Sequence, residues 1–161
     1  MITSKPKFKL IIGLGNPDAK YKNTYHNVGH LFVDYLDSRV SKVESRLLKS
    51  DVYMNESGSF VKKEMKKSSA KPEELLVIHD DSDITVGNYK LSFDRGAAGH
   101  HGIESIQATI KTNNFWRLRI GIRPAKEKVR QKSEEFVLKK ISSANKKIFE
   151  EVFEKSTTEI I

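Results

Sequence analysis

Apolar residues recur along the chain with two spacings, one typical of buried strands and one typical of helices. Five short segments are rich in apolar residues, which predicts strands, and four longer segments repeat them every three or four positions, which predicts helices. The predicted strands are 8–14, 46–53, 74–78, 88–93 and 117–122, and the predicted helices are 27–39, 56–68, 99–112 and 143–155. Charged and apolar residues alternate in segment 117–122, which predicts a strand with one face in water.

The predicted strands alternate with the predicted helices, an order that indicates an α/β sheet covered by helices on both faces. In such sheets, ligands bind beyond the carboxyl ends of the strands. Asn16, Asn55 and Asp80 each come just after a predicted strand end, and His26 lies in the loop after the first strand. We therefore expect these four polar side chains to meet at one edge of the sheet and to form a site there.

Length and cysteine content bound the class of protein. The 161 residues fit one compact domain over 1–161. The chain has no cysteine, which excludes a disulfide framework and a thiolate metal site. An intracellular, cytoplasmic protein is the natural expectation. The apolar run near the N-terminus is too short for a signal peptide or a membrane span, so we expect no membrane association.

The charge of the chain points to an anionic partner. The net charge is +8, and a basic excess of this size most often serves nucleic-acid binding. Between Lys111 and Lys132 the only acidic residue is Glu127. Within this span, Arg117 and Arg119 share one face of a predicted strand, where they could contact phosphates or lie under a helix. A lysine-rich surface that only promotes solubility explains the charge equally well.

The glycines after the first strand resemble the start of the dinucleotide-binding turn Gly-x-Gly-x-x-Gly. Asp18 stands where the third glycine belongs, and its charge would repel a pyrophosphate. Pro17 lacks the backbone N–H that a phosphate accepts from. Dinucleotide binding is therefore rejected.

Acid–base chemistry is one possibility for the polar sheet edge. If Asp80 lies within hydrogen-bond reach of His26, the carboxylate orients the imidazole, and the free ring nitrogen can deprotonate water. Without such a carboxylate, His26 is more simply a structural residue. The sequence alone leaves both interpretations open.

A metal site is another possibility. Asp80, Asp81 and Asp83 are close enough in sequence to hold Mg²⁺ or Mn²⁺. Asp80 and Asp81 point to opposite faces if the strand continues, and the adjacent His100 and His101 are unsuited to binding one ion. We therefore predict no metal site.

Six motifs resemble those of the bacterial-type peptidyl-tRNA hydrolases. They follow the family's order over residues 8–140 approximately, and they are specific together although each is weak alone. The motifs are Gly13-Leu-Gly15-Asn16-Pro17, Tyr21-x-x-Thr24-x-His26-Asn27-x-Gly29, Met54-Asn55-x-Ser57-Gly58, His79-Asp80-Asp81-Ser82-Asp83, Gly99-His100-His101-Gly102 and Trp116-Arg117-Leu-Arg119-Ile-Gly121-Ile122. The resemblance implies a single α/β domain with a twisted mixed sheet covered by helices on both faces.

The resemblance also implies an enzyme that cleaves the ester between a nascent peptide and the terminal ribose of tRNA, which recycles tRNA from aborted translation. It implies His26 as the general base for water and Asp80 as the residue that orients it. The implied substrate-binding residues are Asn16, Tyr21, Met54, Asn55 and His101, and the implied tRNA phosphate contacts are Lys90, Arg117 and Arg119. The implied partner is peptidyl-tRNA, without cofactor or metal, and we expect a monomer.

Several positions depart from the family pattern. His101 stands where the family usually has Asn, and histidine also donates or accepts a hydrogen bond but is bulkier and titrates. Tyr25 replaces an Arg before the histidine, and Ser92 replaces a basic residue. We also expect the chain to lack a hairpin before Met54 and a tail after the last helix, losses that the fold should tolerate at the expense of substrate grip.

These departures keep a second hypothesis open, an RNA-binding module on the same fold that has lost turnover. A chloroplast intron-splicing factor shares this architecture. The intact Asn16, His26, Asn55 and Asp80 favour the esterase, because a binding module has no chemical need for a base paired with a carboxylate. A metal-dependent hydrolase is the third hypothesis.

Overall fold

A computed structural model of the protein describes residues 5–41 and 43–161. Within these ranges it contains one five-stranded sheet and four α-helices. The strands are β1 (Leu10–Gly13), β2 (Arg46–Lys49), β3 (Leu75–Thr85), β4 (Tyr89–Phe93) and β5 (Trp116–Arg123), and the helices are α1 (Val28–Arg39), α2 (Ser57–Ser68), α3 (His101–Ile110) and α4 (Ser143–Ile160). Each predicted element is present, so the predicted single-domain α/β fold is confirmed.

The sheet is mixed, with the strand order β2-β1-β3-β5-β4. β1, β2, β3 and β5 run parallel, and β4 is antiparallel to β5. β1 ends opposite Ile78, whereas β3 continues along β5, so that Asp80 pairs with Ile120. Asp80 therefore lies inside a strand rather than past its end, but it projects beyond the end of β1, where a cleft can form.

Helices cover both faces of the sheet, as predicted. Alternate residues of the central strands point into two separate apolar cores. One core packs the sheet against α1 and α4, through residues such as Phe32, Leu36, Phe149 and Phe153. The other packs it against α2 and α3, through Phe60, Val61, Ile103 and Ile106. No helix in the described ranges is long and apolar enough to cross a membrane.

The expected water-exposed face of β5 is wrong. Arg117 and Arg119 are 3% and 4% exposed, because other residues of the protein lie over that face of β5 and accept hydrogen bonds from both side chains. Arg119 Nε donates to Asp81 Oδ2 at 2.8 Å, and its Nη1 donates to Ser92 Oγ at 3.2 Å. Arg117 Nη1 donates to the carbonyl of Gly96 at 3.1 Å. A buried guanidinium is stable only when internal acceptors pair with it, so both arginines have a structural role in the interior.

Two glycines bring the start of α1 directly against the sheet. A Cβ at Gly13 would collide with the carbonyl oxygen of Gly29, and a Cβ at Gly29 would collide with that of Ile78. Only hydrogen at these positions allows the helix to approach so closely. The turn that precedes α1, which carries His26, is thereby placed beside Asp80.

Candidate active site

A cleft of about 540 Å³ opens at the carboxyl ends of the strands. Of the residues predicted for the site, six line it: Asn16, His26, Met54, Asn55, Asp80 and His101. They come from the loop after β1, the turn before α2, β3 itself and the start of α3. The expected convergence of distant polar residues at one sheet edge is therefore present in the structure.

His26 and Asp80 are in direct contact. His26 Nδ1 lies 2.8 Å from Asp80 Oδ2, and the carboxylate is 2% exposed. Since an ionised carboxylate only accepts hydrogen bonds, Nδ1 carries the proton and donates it. His26 Nε2 has no hydrogen-bond partner within residues 5–41 and 43–161, which leaves its lone pair free for a water or a substrate group.

The two partners influence each other's ionisation. Burial opposes the charge on Asp80, but the His26 and His100 imidazoles and their hydrogen bonds hold the pKa of Asp80 well below its usual range. Burial also lowers the pKa of His26, but the Asp80 charge and hydrogen bond outweigh it and raise the pKa above 6.5. Asp80 is therefore ionised at neutral pH, and His26 is a stronger base than a free imidazole.

The loop that carries His26 is held from outside the sheet. His26 N donates to the Val137 carbonyl at 2.7 Å, and Tyr25 N donates to the Lys139 carbonyl at 3.2 Å. Tyr25, at the position where the family pattern has Arg, packs edge-on against Phe149 with ring centroids 6.1 Å apart. Tyr25 therefore packs against the core and does not line the cleft.

Asn16 is fixed in one orientation. Its backbone N–H donates to Asn27 Oδ1, and Asn27 Nδ2 donates back to its carbonyl, both at 2.9 Å. Its side-chain Oδ1 accepts from Met54 N at 2.8 Å. Because that N–H requires an oxygen opposite it, the amide cannot be flipped, and Nδ2 is the group left to donate into the cleft.

Other predicted residues lie elsewhere. Tyr21 does not line the cleft, because its short 3-10 helix, Ala19–Tyr21, lies outside the cavity wall. Lys90 is exposed on β4, outside the lining, and its contact with tRNA phosphate stays a prediction. The same expectation for Arg117 and Arg119 is weakened by their burial, because a phosphate would have to replace internal partners.

Among the cleft residues that were not predicted from the sequence as site residues, Tyr53 and His100 make side-chain hydrogen bonds to aspartates. Tyr53 is 45% exposed and donates from its hydroxyl to Asp18 Oδ2 at 2.6 Å. Tyr53 directly precedes the Met54-Asn55 motif in the sequence, and this position was the only indication that it could line the cleft. His100 contacts the second oxygen of Asp80, with Nε2 2.9 Å from Oδ1. The sequence showed it inside a glycine-rich motif, but nothing there distinguished it from its neighbour His101.

The donor atoms of His26, Asp80 and His100 lie within 4.8 Å of one another, and two imidazoles with a carboxylate can bind zinc. Hydrogen bonds already use the nitrogens that such an ion would need. His100 Nδ1 accepts from Ile103 N at 3.2 Å, so Nε2 carries the proton. A metal at Nε2 would move that proton to Nδ1, against the Ile103 N–H. The geometry favours a hydrogen-bonded group over a metal centre.

The other two carboxylates of this segment are paired with arginines. Asp80 and Asp81 point to opposite faces, as predicted, since Asp80 meets His26 and Asp81 meets Arg119. Asp83 Oδ1 accepts from Arg130 Nη2 at 2.9 Å. The sequence run of three carboxylates is therefore dispersed in space.

Comparison with known proteins accounts for this arrangement. The sequence model of the family described as Peptidyl-tRNA hydrolase matches residues 10–161. The chain belongs to the peptidyl-tRNA hydrolase family. The resemblance inferred from the motifs is thereby confirmed.

Similarity to individual peptidyl-tRNA hydrolases covers most of the chain. The protein of Aquifex aeolicus is 34% identical, in an alignment that covers 92% of this chain and 85% of that protein. The protein of Sulfurihydrogenibium sp. is 38% identical, in an alignment that covers 89% of this chain and 84% of that protein. The crystal structure of the peptidyl-tRNA hydrolase of Acinetobacter baumannii superposes with a TM-score of 0.83 at 29% identity, covering 97% of this chain and 88% of that one.

Proposed function

We propose that the chain hydrolyses the ester bond between peptide and tRNA in peptidyl-tRNA, with His26 as the general base for water. Membership in the peptidyl-tRNA hydrolase family supports the reaction. The observation that carries the role of His26 is its 2.8 Å contact with the buried Asp80, which leaves Nε2 as the free basic nitrogen in the cleft. Release of free tRNA from aborted translation is the physiological outcome of this reaction.

The proposed reaction balances with water as the only second substrate. His26 Nε2 takes a proton from water, and the water oxygen attacks the ester carbonyl carbon to form a tetrahedral oxyanion. The bond from that carbon to the ribose oxygen then breaks, and the imidazolium returns the proton to the leaving oxygen. The products are a peptide with a free carboxyl group and a tRNA with a free terminal ribose hydroxyl.

Asn16 is the best-placed donor for the oxyanion. Its Nδ2 is the group that internal hydrogen bonds leave unused, and those same bonds hold it still. A donor that is fixed before the reaction stabilises the developing charge without reorganising. General-base catalysis raises the rate about 10²–10⁴-fold. The remaining rate enhancement must come from positioning of the substrate and stabilisation of the oxyanion.

The remaining cleft residues fit the two ends of the substrate. Met54 and the exposed Asn55 form the wall next to Asn16, where the peptide and ribose ends would lie. His101 lies exposed at the first position of α3, where a substrate group can reach it. The net charge of +8 supports binding of the tRNA backbone. We also propose a monomer, because few large apolar side chains are exposed in the described ranges. The proposed tRNA substrate supports a location in the cytoplasm.

Hydrolysis of N-acetyl-aminoacyl-tRNA by the purified protein tests this proposal. We expect release of the N-acetyl-amino acid that persists in EDTA, because no step uses a metal. Activity lost in EDTA and restored by a divalent ion would instead support the metal-dependent hydrolase. No release at high enzyme concentration, together with retained tRNA binding, would support the RNA-binding module, the hypothesis that the histidine at position 101 favours.

Replacing His101 by Asn is expected to keep or raise the rate of this hydrolysis. The amide offers a donor and an acceptor in a smaller volume, and it is the residue that the family pattern usually has there. Comparison of kcat and KM for the two proteins measures the effect. A large loss of kcat would mean that the cleft depends on the imidazole itself, which the structure shows exposed at its rim.

A further inference from the structure

The carboxylate of Asp80 accepts two hydrogen bonds, one on each oxygen, from two different imidazoles. His26 Nδ1 is 2.8 Å from Oδ2, and His100 Nε2 is 2.9 Å from Oδ1. The proposed reaction uses the first imidazole and leaves the second without a role. His100 is nevertheless nearly buried, with its side chain 10% exposed, and it belongs to the loop that leads into α3.

The backbone of α3 fixes the protonation of His100. Its Nδ1 accepts a hydrogen bond from Ile103 N at 3.2 Å, as the N-cap of the helix. An N–H can only donate to a lone pair, so Nδ1 is unprotonated and the neutral ring carries its proton on Nε2. Both nitrogens of His100 are thereby occupied, and neither is available to the substrate.

We infer that His100 is a positioning residue for the general base: by donating to Oδ1 of Asp80, it fixes the carboxylate in the orientation that holds Oδ2 against Nδ1 of His26. This inference rests on the proposed function of His26. The hydrogen bond that caps α3 orients His100, the donor of His100 orients Asp80, and the carboxylate of Asp80 orients His26. The lone pair of His26 is held on Nε2, where water is to be deprotonated.

A third imidazole, that of His79, packs against the ring of His100. The His79 and His100 rings meet edge to face, with centroids 4.7 Å apart. His79 Nδ1 donates to the backbone carbonyl of Asp80 at 2.7 Å, and burial lowers its pKa well below the usual value, so it stays neutral. The other titratable groups around the cluster are Asp81, Asp83, His101, Arg117 and Glu134. Asp81 and Asp83 are paired with arginines. The groups in direct contact with the Asp80 carboxylate are the imidazoles of His26 and His100.

The variant His100→Asn removes the hydrogen bond to Asp80 and keeps the one that caps α3. The Asn oxygen can replace Nδ1 as the helix cap, but the shorter side chain does not reach Asp80. We expect a folded protein with a kcat lowered about tenfold and a nearly constant KM. The acid limb of the pH profile should move to lower pH, because an Asp80 carboxylate that can turn away from His26 raises the pKa of His26 less. Nitrogen chemical shifts should show His26 as a mixture of tautomers instead of Nδ1–H alone.

His100→Gln is the matched variant. Its terminal NH₂ reaches Asp80 as a donor, but no atom is placed to cap α3. We expect the wild-type pH profile and His26 tautomer with a lower melting temperature. If His100→Asn keeps the wild-type profile and tautomer while His26→Ala is inactive, His100 is only structural and this inference is overturned. Full activity of His26→Ala would instead overturn the proposed function itself.

Discussion

Replacing His26 by Ala is expected to lower kcat/KM for N-acetyl-aminoacyl-tRNA by about 10²–10⁴-fold, the contribution of a general base. The variant loses the lone pair that takes the proton from water, while Asn16 and the rest of the cleft keep their positions. The loss should lie in kcat, because tRNA affinity depends on charges outside this pair. Hydrolysis of radiolabelled substrate by both proteins in parallel provides the measurement.

The pH dependence gives this prediction its internal control. A general base works only when deprotonated, so kcat/KM of the wild type should fall as the pH decreases through the pKa of His26, which Asp80 raises above 6.5. His26→Ala should lose this dependence, and added imidazole should restore part of the rate in the vacated space. A variant that keeps its melting temperature, its tRNA affinity and full activity would rule out His26 as the base.

The sequence carried enough information to predict the fold and the convergence of the candidate site residues at one edge of the sheet. Apolar spacing located each element, because a strand and a helix bury side chains with different periods. The site followed from topology, since parallel strands bring residues such as Asn16 and Asp80 to the same edge however far apart they are in sequence. The contact between His26 and Asp80 could not be predicted from topology alone, because it also depends on the close approach of Gly29 to the sheet.

The sequence could not predict contacts that depend on which strands are neighbours. Alternation of charged and apolar residues indicates one polar face, but water and buried ion pairs produce the same pattern. Arg119 meets Asp81 because β5 lies beside β3, a pairing that local sequence does not encode. The role of His100 depends on a helix cap and on the reach of a side chain, and both require coordinates.

Asp80→Asn is expected to lower kcat by about 10²–10⁴-fold, although it changes one oxygen to nitrogen. His100 Nε2–H must be accepted, because Ile103 fixes that tautomer, so the Asn oxygen turns toward His100. The Asn NH₂ then faces His26 and donates to Nδ1, which forces the His26 proton onto Nε2. The base is present but carries its proton on the nitrogen that must accept one. Nitrogen chemical shifts of His26 should report the reversed tautomer in a protein with a wild-type melting temperature.

The double variant Asp80→Asn/His100→Asn separates this explanation from simple loss of the Asp80 charge. Without the donor at position 100, the amide introduced at position 80 is free to turn its oxygen toward His26, and the productive tautomer becomes accessible again. The double variant should therefore be faster than Asp80→Asn alone, even though His100→Asn by itself slows the wild type. Since residues in one hydrogen-bond network couple, such a reversal is the expected form of non-additivity. A double variant as slow as the product of the two single losses would show that the missing charge, and not the tautomer, stops the reaction.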